Sequence, residues 1–138
     1  MAEIPNIQLK RLHGRLGEVA YQLTRVQFSQ FSGLETWQPA VNAYRCEKCI
    51  VICVDLAGVD RTQIDLQVEP RRLLLRGSRR PPEPEKSQHK PVQVLVMEID
   101  YGPFEREVRL PGDVDPDAVT ADPRESLLWI YLPIRSHG

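Results

Sequence analysis

The stretch that decides the fold is YGPFEREVRLP, at residues 101–111. A glycine and a proline near its start favour a tight turn, and the residues after them favour a β-strand. Successive side chains of a strand point to opposite faces, so Arg106 shares one face with three apolar neighbours, Phe104, Val108 and Leu110. A desolvated guanidinium is costly unless its donors are satisfied, so this arginine is expected to have a specific partner.

Short β-branched or alternating runs recur on both sides of this stretch, separated by turn residues. Eight such runs without helices between them predict an all-β fold, an antiparallel β-sandwich. Residues 80–91 are polar and rich in proline, which predicts a long loop. The expected strands are 41–44, 50–56, 64–68, 73–77, 92–99, 104–110, 119–121 and 127–132.

The first 36 residues have a different pattern. Their apolar residues follow alternating steps of three and four, which is typical of one face of an amphipathic helix. Gly14 and Gly17 each weaken a helix interior by about 1 kcal/mol. The sequence therefore predicts a helical N-terminal arm at 1–36, a sandwich domain at 37–134 and a short tail at 135–138. The apolar stripe of the arm consists of Leu9, Leu12, Leu16, Val19, Leu23 and Val26.

Composition limits the possible partners. The chain has 138 residues and 41% hydrophobic content, enough for one domain with a core. A formal net charge of -1 argues against a nucleic-acid surface, which needs a concentrated basic patch. Without an export signal or an apolar run that could span a bilayer, we expect a cytoplasmic protein with no membrane span. The three cysteines are then expected to be reduced.

The pattern Y-G-x-F-x-R-x-x-x-L-P at 101–111 resembles the signature of the small heat shock, or alpha-crystallin, family. Three more segments resemble motifs of that family in the same order along 37–133. The resemblance implies an immunoglobulin-like sandwich and a chaperone that holds partly unfolded proteins without ATP. No G-x-x-x-x-G-K loop for a nucleotide occurs. The three segments are VDLAGV at 54–59, residues 73–77 with the basic residues after them, and DVD at 113–115 with V-x-A at 119–121.

The resemblance also implies a homodimer formed by strand exchange. In bacterial and plant-type members, a strand projected by the long loop pairs with the neighbouring subunit. Here that strand would be 92–97, and its partner edge would be the strand at 41–44. A catalytic role of Arg106 is disfavoured, because a guanidinium has no accessible neutral form. The expected dimer interface comprises Val41, Ala43, Val92, Val94, Val96 and Arg106.

A groove between two strands is a further implication of the resemblance. It would receive an apolar segment, either the tail of a partner subunit or a client. Its expected lining is Leu66, Val68, Val119 and Ala121, although these residues would face the core of any sandwich. The family's I-x-I/V tail motif is not found, so higher or mixed assembly and client capture are expected to depend on the arm. The arm's client-binding residues would be the apolar stripe together with Phe28 and Phe31, although the stripe would equally suit a helix packed on its own domain.

Other functions are weaker candidates. Cys46 and Cys49 form a C-x-x-C pair, but no second Cys or His pair completes a zinc site, so ordinary hairpin cysteines are favoured. No metal, cofactor or catalytic constellation is expected, and we predict that the chain is not an enzyme. The main alternative is an adaptor-type co-chaperone, a related sandwich that would act as a monomeric docking module. Ser126 stands where the family has a glycine, which predicts an altered turn geometry there.

Overall fold

Two four-stranded β-sheets face each other across an apolar core. The computed structural model describes residues 8–11 by their backbone and residues 36–85 and 88–135 with their side chains. The strands are β1 (Gln8–Arg11), β2 (Val41–Arg45), β3 (Cys49–Asp55), β4 (Ile64–Glu69), β5 (Arg72–Arg79), β6 (Gly102–Arg109), β7 (Thr120–Arg124) and β8 (Leu127–Pro133). One sheet has the strand order β1-β4-β5-β6 and the other β2-β3-β8-β7. The predicted all-β sandwich is confirmed.

The core forms because apolar residues alternate along the strands. On β8, Leu128, Ile130 and Leu132 are buried, whereas the residues between them are only half-buried. The same period of two places the apolar residues of β3 and β4 on the faces that meet between the sheets. Burial of these side chains contributes roughly 25 cal/mol for each Å² of apolar surface removed from water.

The N-terminal strand differs from the sequence prediction. Leu9, predicted to begin a helical stripe, lies instead in β1, which pairs in parallel with β4. The edge of β4 offers backbone groups that need partners. Hydrogen bonds between these groups and residues 8–11 outweigh the weak helical preference of the local sequence. The other predicted arm residues, Leu12, Leu16, Val19, Leu23, Val26, Phe28 and Phe31, lie outside the described residues.

The segment at 92–99, predicted to be a strand, has no strand pairing within the chain. It leaves the sandwich after β5 and returns to it at β6. A strand needs a ladder partner for its backbone groups, and the edges of its own sandwich do not supply one to this segment. The strand prediction is therefore wrong for the single chain, although it was made for pairing with a second subunit.

The turn between β7 and β8 has only two residues. Glu125 and Ser126 both have positive φ, of 52° and 68°, in the left-handed region. Arg124 and Leu127 are in register on either side, so the connection has the form of a type I′ hairpin turn. This geometry imposes left-handed conformations here even without a glycine.

Candidate functional site

The loop between β5 and β6 exposes a row of apolar side chains. Val92 is 99% exposed and Leu95 is 84% exposed. We call residues 92–99 the apolar loop segment. Contiguous apolar surface of this kind marks interaction sites in soluble proteins. Val94, Val96, Met97 and Ile99 are also exposed.

Arg79 fixes the base of this loop. Its Nε donates to the carbonyl oxygen of Asp100 at 2.8 Å, and a second guanidinium nitrogen donates to the same oxygen. Its Nη1 donates to the carbonyl oxygen of Ala57 at 3.1 Å. The guanidinium also lies over the ring of Trp37, 4.3 Å from the ring centroid. The loop therefore leaves β5 and rejoins β6 at a braced position.

Trp37 connects the segment before β2 to the start of β6. Its indole Nε1 donates to the carbonyl oxygen of Gly102 at 3.1 Å, and its backbone N–H donates to the carbonyl oxygen of Pro103 at 3.2 Å. The N–H of Glu105 donates to the carbonyl of Trp37 at 3.1 Å. The ring lies 5.3 Å from that of Phe104, which is fully buried. The entry to β2 and the loop base thus form one packed unit.

Arg106 has the partner that the sequence required. It is half-buried on β6, and its Nη1 donates to the carbonyl oxygen of Pro39 at 3.5 Å. Pro39 lies two residues before β2, so this long hydrogen bond also joins β6 to the entry of β2. No local pattern in the sequence predicts the roles of Arg79 and Trp37. The only signal for Arg79 was its place among the basic residues after 73–77.

One edge of β2 is open in the described part of the chain, where this strand pairs with β3 alone. Val41 is half-buried and packs against the core, whereas Ala43 is exposed. Tyr44 is also exposed. Open edges of this kind readily accept another strand.

The predicted groove residues are buried. Leu66, Val68, Val119 and Ala121 all belong to the apolar core between the sheets. A cleft of about 260 Å³ remains between the residues that precede β4 and the β7–β8 turn. Ile64 and Pro123 line it from the two sides. None of the four predicted residues lines this cleft.

The cysteines lie on one hairpin. Cys46 donates its backbone N–H to the carbonyl of Cys49 at 2.8 Å, which closes the turn between β2 and β3. Burial, and secondarily the neighbouring Cys46, raises the pKa of Cys49, and burial raises the pKa of Cys53. A raised pKa disfavours the thiolate, which is the form that acts as nucleophile or metal ligand.

Within 8–11, 36–85 and 88–135, no three His, Cys, Asp or Glu side chains converge as a metal site would require. Over the same described ranges, the structure contains no helix of the length and apolarity needed to cross a membrane.

The sequence and the fold of this chain are similar to those of known proteins. The sequence profile of the Hsp20/alpha crystallin family matches residues 43–138. The chain is 29% identical over 85 residues to small heat shock protein C2 of Rickettsia felis, covering 62% of this chain and 53% of that protein. It is 35% identical over 88 residues to the 22.7 kDa class IV heat shock protein of Pisum sativum, covering 63% of this chain and 43% of that protein.

The solved structure of hspA from Xanthomonas axonopodis is similar in fold. The TM-score is 0.60 at 33% sequence identity, and the match covers 73% of this chain and 97% of that chain. The chain spans about half the length of the two curated relatives. Because the family profile covers more than half of the chain, including every strand of the sandwich after β2, the chain belongs to the Hsp20/alpha crystallin family of small heat shock proteins.

Proposed function

We propose that this protein is an ATP-independent holdase chaperone, which binds partly unfolded proteins and keeps them from aggregating. The observation that carries the proposal is the match of residues 43–138 to the Hsp20/alpha crystallin family. Family membership implies chaperone function. Capture by apolar contact needs no energy source, because removing apolar surface from water is itself favourable.

The expected assembly unit is a dimer made by strand exchange. The apolar loop segment of one subunit would pair along the open edge of β2 in the other, with Val92, Val94 and Val96 opposite the strand that carries Val41 and Ala43. Two observations support this arrangement. The segment has no ladder partner within the described chain, and β2 has one unpaired edge there. Reciprocal exchange between two subunits would give hydrogen-bond partners to the backbone of the segment and to the open edge of β2.

Arg106 would support this interface from within. Its hydrogen bond to Pro39 reaches the backbone two residues before β2 and so steadies the edge that receives the exchanged strand. The hydrogen bonds of Arg79 would likewise steady the base of the loop that carries the exchanged strand. Both arginines would then act as positioning residues.

Client segments or partner tails would bind at the groove between β4 and β7. The cleft lined by Ile64 and Pro123 supports an opening there, and extended segments bind sheet edges through backbone hydrogen bonds. Leu66, Val68, Val119 and Ala121 would line the groove only after it opens, since they are buried in the core of the described structure. The arm residues would add apolar surface for clients. We also propose a cytoplasmic location, where the three cysteines would stay reduced.

The dimer is tested by native mass measurement. The wild-type protein is expected to be dimeric or larger, whereas a variant with Val94→Asp and Val96→Asp is expected to be monomeric, because charges would be buried in the exchanged ladder. Gln88→Asp with His89→Asp, which lie in the same loop ahead of the exchanged segment, is the matched control. A monomeric wild type would contradict the exchange and favour the adaptor-type docking module.

Holdase activity is tested by light scattering of a heat-destabilised client enzyme without ATP. A stoichiometric amount of the protein is expected to suppress most of the scattering. Equal scattering with and without the protein would rule out the holdase function.

A further inference from the structure

The edge of β4 that borders the proposed groove is already occupied by the chain itself. Strand β1 lies along it in parallel, with Gln8 in register with Asp65, Leu9 with Leu66 and Arg11 with Val68. The opposite side of β4 pairs with β5. Both backbone edges of β4 are therefore in use over residues 65–68.

We propose that β1 is a displaceable internal plug, which closes the β4 edge until it is released. This inference deepens the proposed groove function and rests on it. The ligand that competes with β1 would be an extended peptide that runs parallel to β4 and forms a backbone ladder with it. An aliphatic residue of the ligand would take the register position that Leu9 holds beside Leu66.

Competition follows from the geometry of a sheet. Each N–H and C=O group on a strand edge bonds to one neighbouring strand, so the edge of β4 accepts β1 or another segment at one time. Leu66 and Val68, which stand in register with residues of β1, were both assigned to the groove. An incoming segment that uses these positions must first displace β1.

Three features make β1 releasable. It has four residues and a parallel ladder, whereas β5 holds β4 through six antiparallel pairs. Parallel pairing is slightly less stable per residue. Gln67, in register with Lys10, is only 1% exposed, and neither its Nε2 nor its Oε1 has a hydrogen-bond partner among the described residues. Water reaching this amide after opening would offset part of the cost of release.

The alternative occupant is the same strand from a neighbouring copy. Residues 12–36 join β1 to Trp37, which is held against β6, and could extend by up to roughly 80 Å at about 3.3 Å per residue. That length allows either arrangement, so the experiment must separate them.

Hydrogen exchange of the full-length chain tests the occupancy. Leu9→Pro with Lys10→Pro removes backbone donors from β1, whereas Ala2→Pro with Glu3→Pro is the matched control ahead of it. We expect the amides of residues 65–68 that face β1 to exchange at least tenfold faster in the first variant, with β5 and β6 unchanged. Unchanged exchange would overturn the plug. If the wild-type amides of residues 65–68 lose protection when the protein is diluted, the plug is also overturned. Such a loss would mean that the strand on the β4 edge comes from a neighbouring copy.

Peptide binding tests the displacement. The probe is a dye-labelled peptide of residues 4–12, IPNIQLKRL. Its apparent affinity for the wild type is reduced by the fraction of molecules with an open edge, so the Leu9→Pro, Lys10→Pro variant is expected to bind it at least tenfold more tightly. Equal affinity for the two proteins would overturn the inference.

Client scattering separates this inference from the proposed function. If exchange and peptide binding change as expected but neither protein protects a client, the plug stands and the holdase function fails. If both proteins protect a client and the exchange of residues 65–68 is the same in both, the plug fails alone.

Discussion

At the scale of single residues, Gly77 decides whether β5 can lie against the core. It is in register with Phe104, and its missing side chain leaves room for that ring. A Cβ at Gly77 would lie 2.5 Å from Cζ of Phe104 and would overlap the backbone carbonyl oxygen of Gln63. Neither neighbour has space to withdraw, because Phe104 is fully buried and the Gln63 atom is backbone.

We expect Gly77→Ala to lower the free energy of unfolding by about 2–3 kcal/mol, as overpacking typically does. Urea denaturation measures this change. Gly112→Ala is the matched control, since a Cβ there would meet no atom within 4 Å. Similar losses in the two variants would contradict the steric explanation.

Ser126 holds a left-handed conformation at a cost. A residue with a Cβ pays roughly 1–2 kcal/mol there, whereas glycine costs about 0.4–1 kcal/mol in additional unfolded-state entropy. Ser126→Gly is therefore expected to raise the free energy of unfolding by about 0.5–1 kcal/mol. Gly58→Ala, at a φ of 76°, is the reverse comparison and should lose about 1 kcal/mol. A destabilised Ser126→Gly protein would show that the turn is not strained.

The three cysteines are expected to differ in reactivity. Cys46 is exposed, whereas Cys53 is buried and has a raised pKa. The pKa of Cys49 is also raised, so its reactive thiolate forms only at a higher pH than usual. Alkylation of Cys49 therefore needs a more alkaline solution. Mass spectrometry of iodoacetamide-treated protein at pH 7.5 should find Cys46 modified first and Cys53 last. Modification of Cys53 before Cys46 in folded protein would contradict this order.

At the scale of elements, the Arg79 brace controls the mobility of the loop between β5 and β6. Arg79→Lys keeps the charge but loses the planar fork that reaches both Asp100 and Ala57. The loss of one or two hydrogen bonds, about 1–2 kcal/mol, should speed exchange of the Trp37 and Glu105 amides, whose hydrogen bonds close the loop base, by roughly five- to thirtyfold. Arg80→Lys is the matched control one residue later. If both variants exchange equally, Arg79 does not hold the loop.

At the scale of the whole molecule, dimer formation would couple stability to concentration. Mass action raises the unfolding midpoint of an associating protein as its concentration increases. For a chain of this size we expect a rise of about 2–3 °C for each tenfold increase. The midpoint of the Val94→Asp, Val96→Asp variant should not depend on concentration. A wild-type midpoint that is independent of concentration would count against the dimer.

The sequence by itself determined the sandwich and its core. Alternation on strands such as β8 predicts which side chains face inward, because the period of two is local and needs no knowledge of partners. The same alternation placed Arg106 in an apolar row and predicted that it needs a partner. The signature at 101–111 identified the family that the wider comparison confirmed.

Only the tertiary structure decided how segments distant in sequence meet. The partner of Arg106 is a carbonyl at Pro39, and the brace of the loop is Arg79 against Trp37, contacts that no local pattern encodes. Leu9 fits a helical stripe by spacing, yet it lies in a strand because the open edge of β4 supplies a backbone ladder. Secondary structure at a sheet edge depends on which edge is available, and availability is a property of the folded chain.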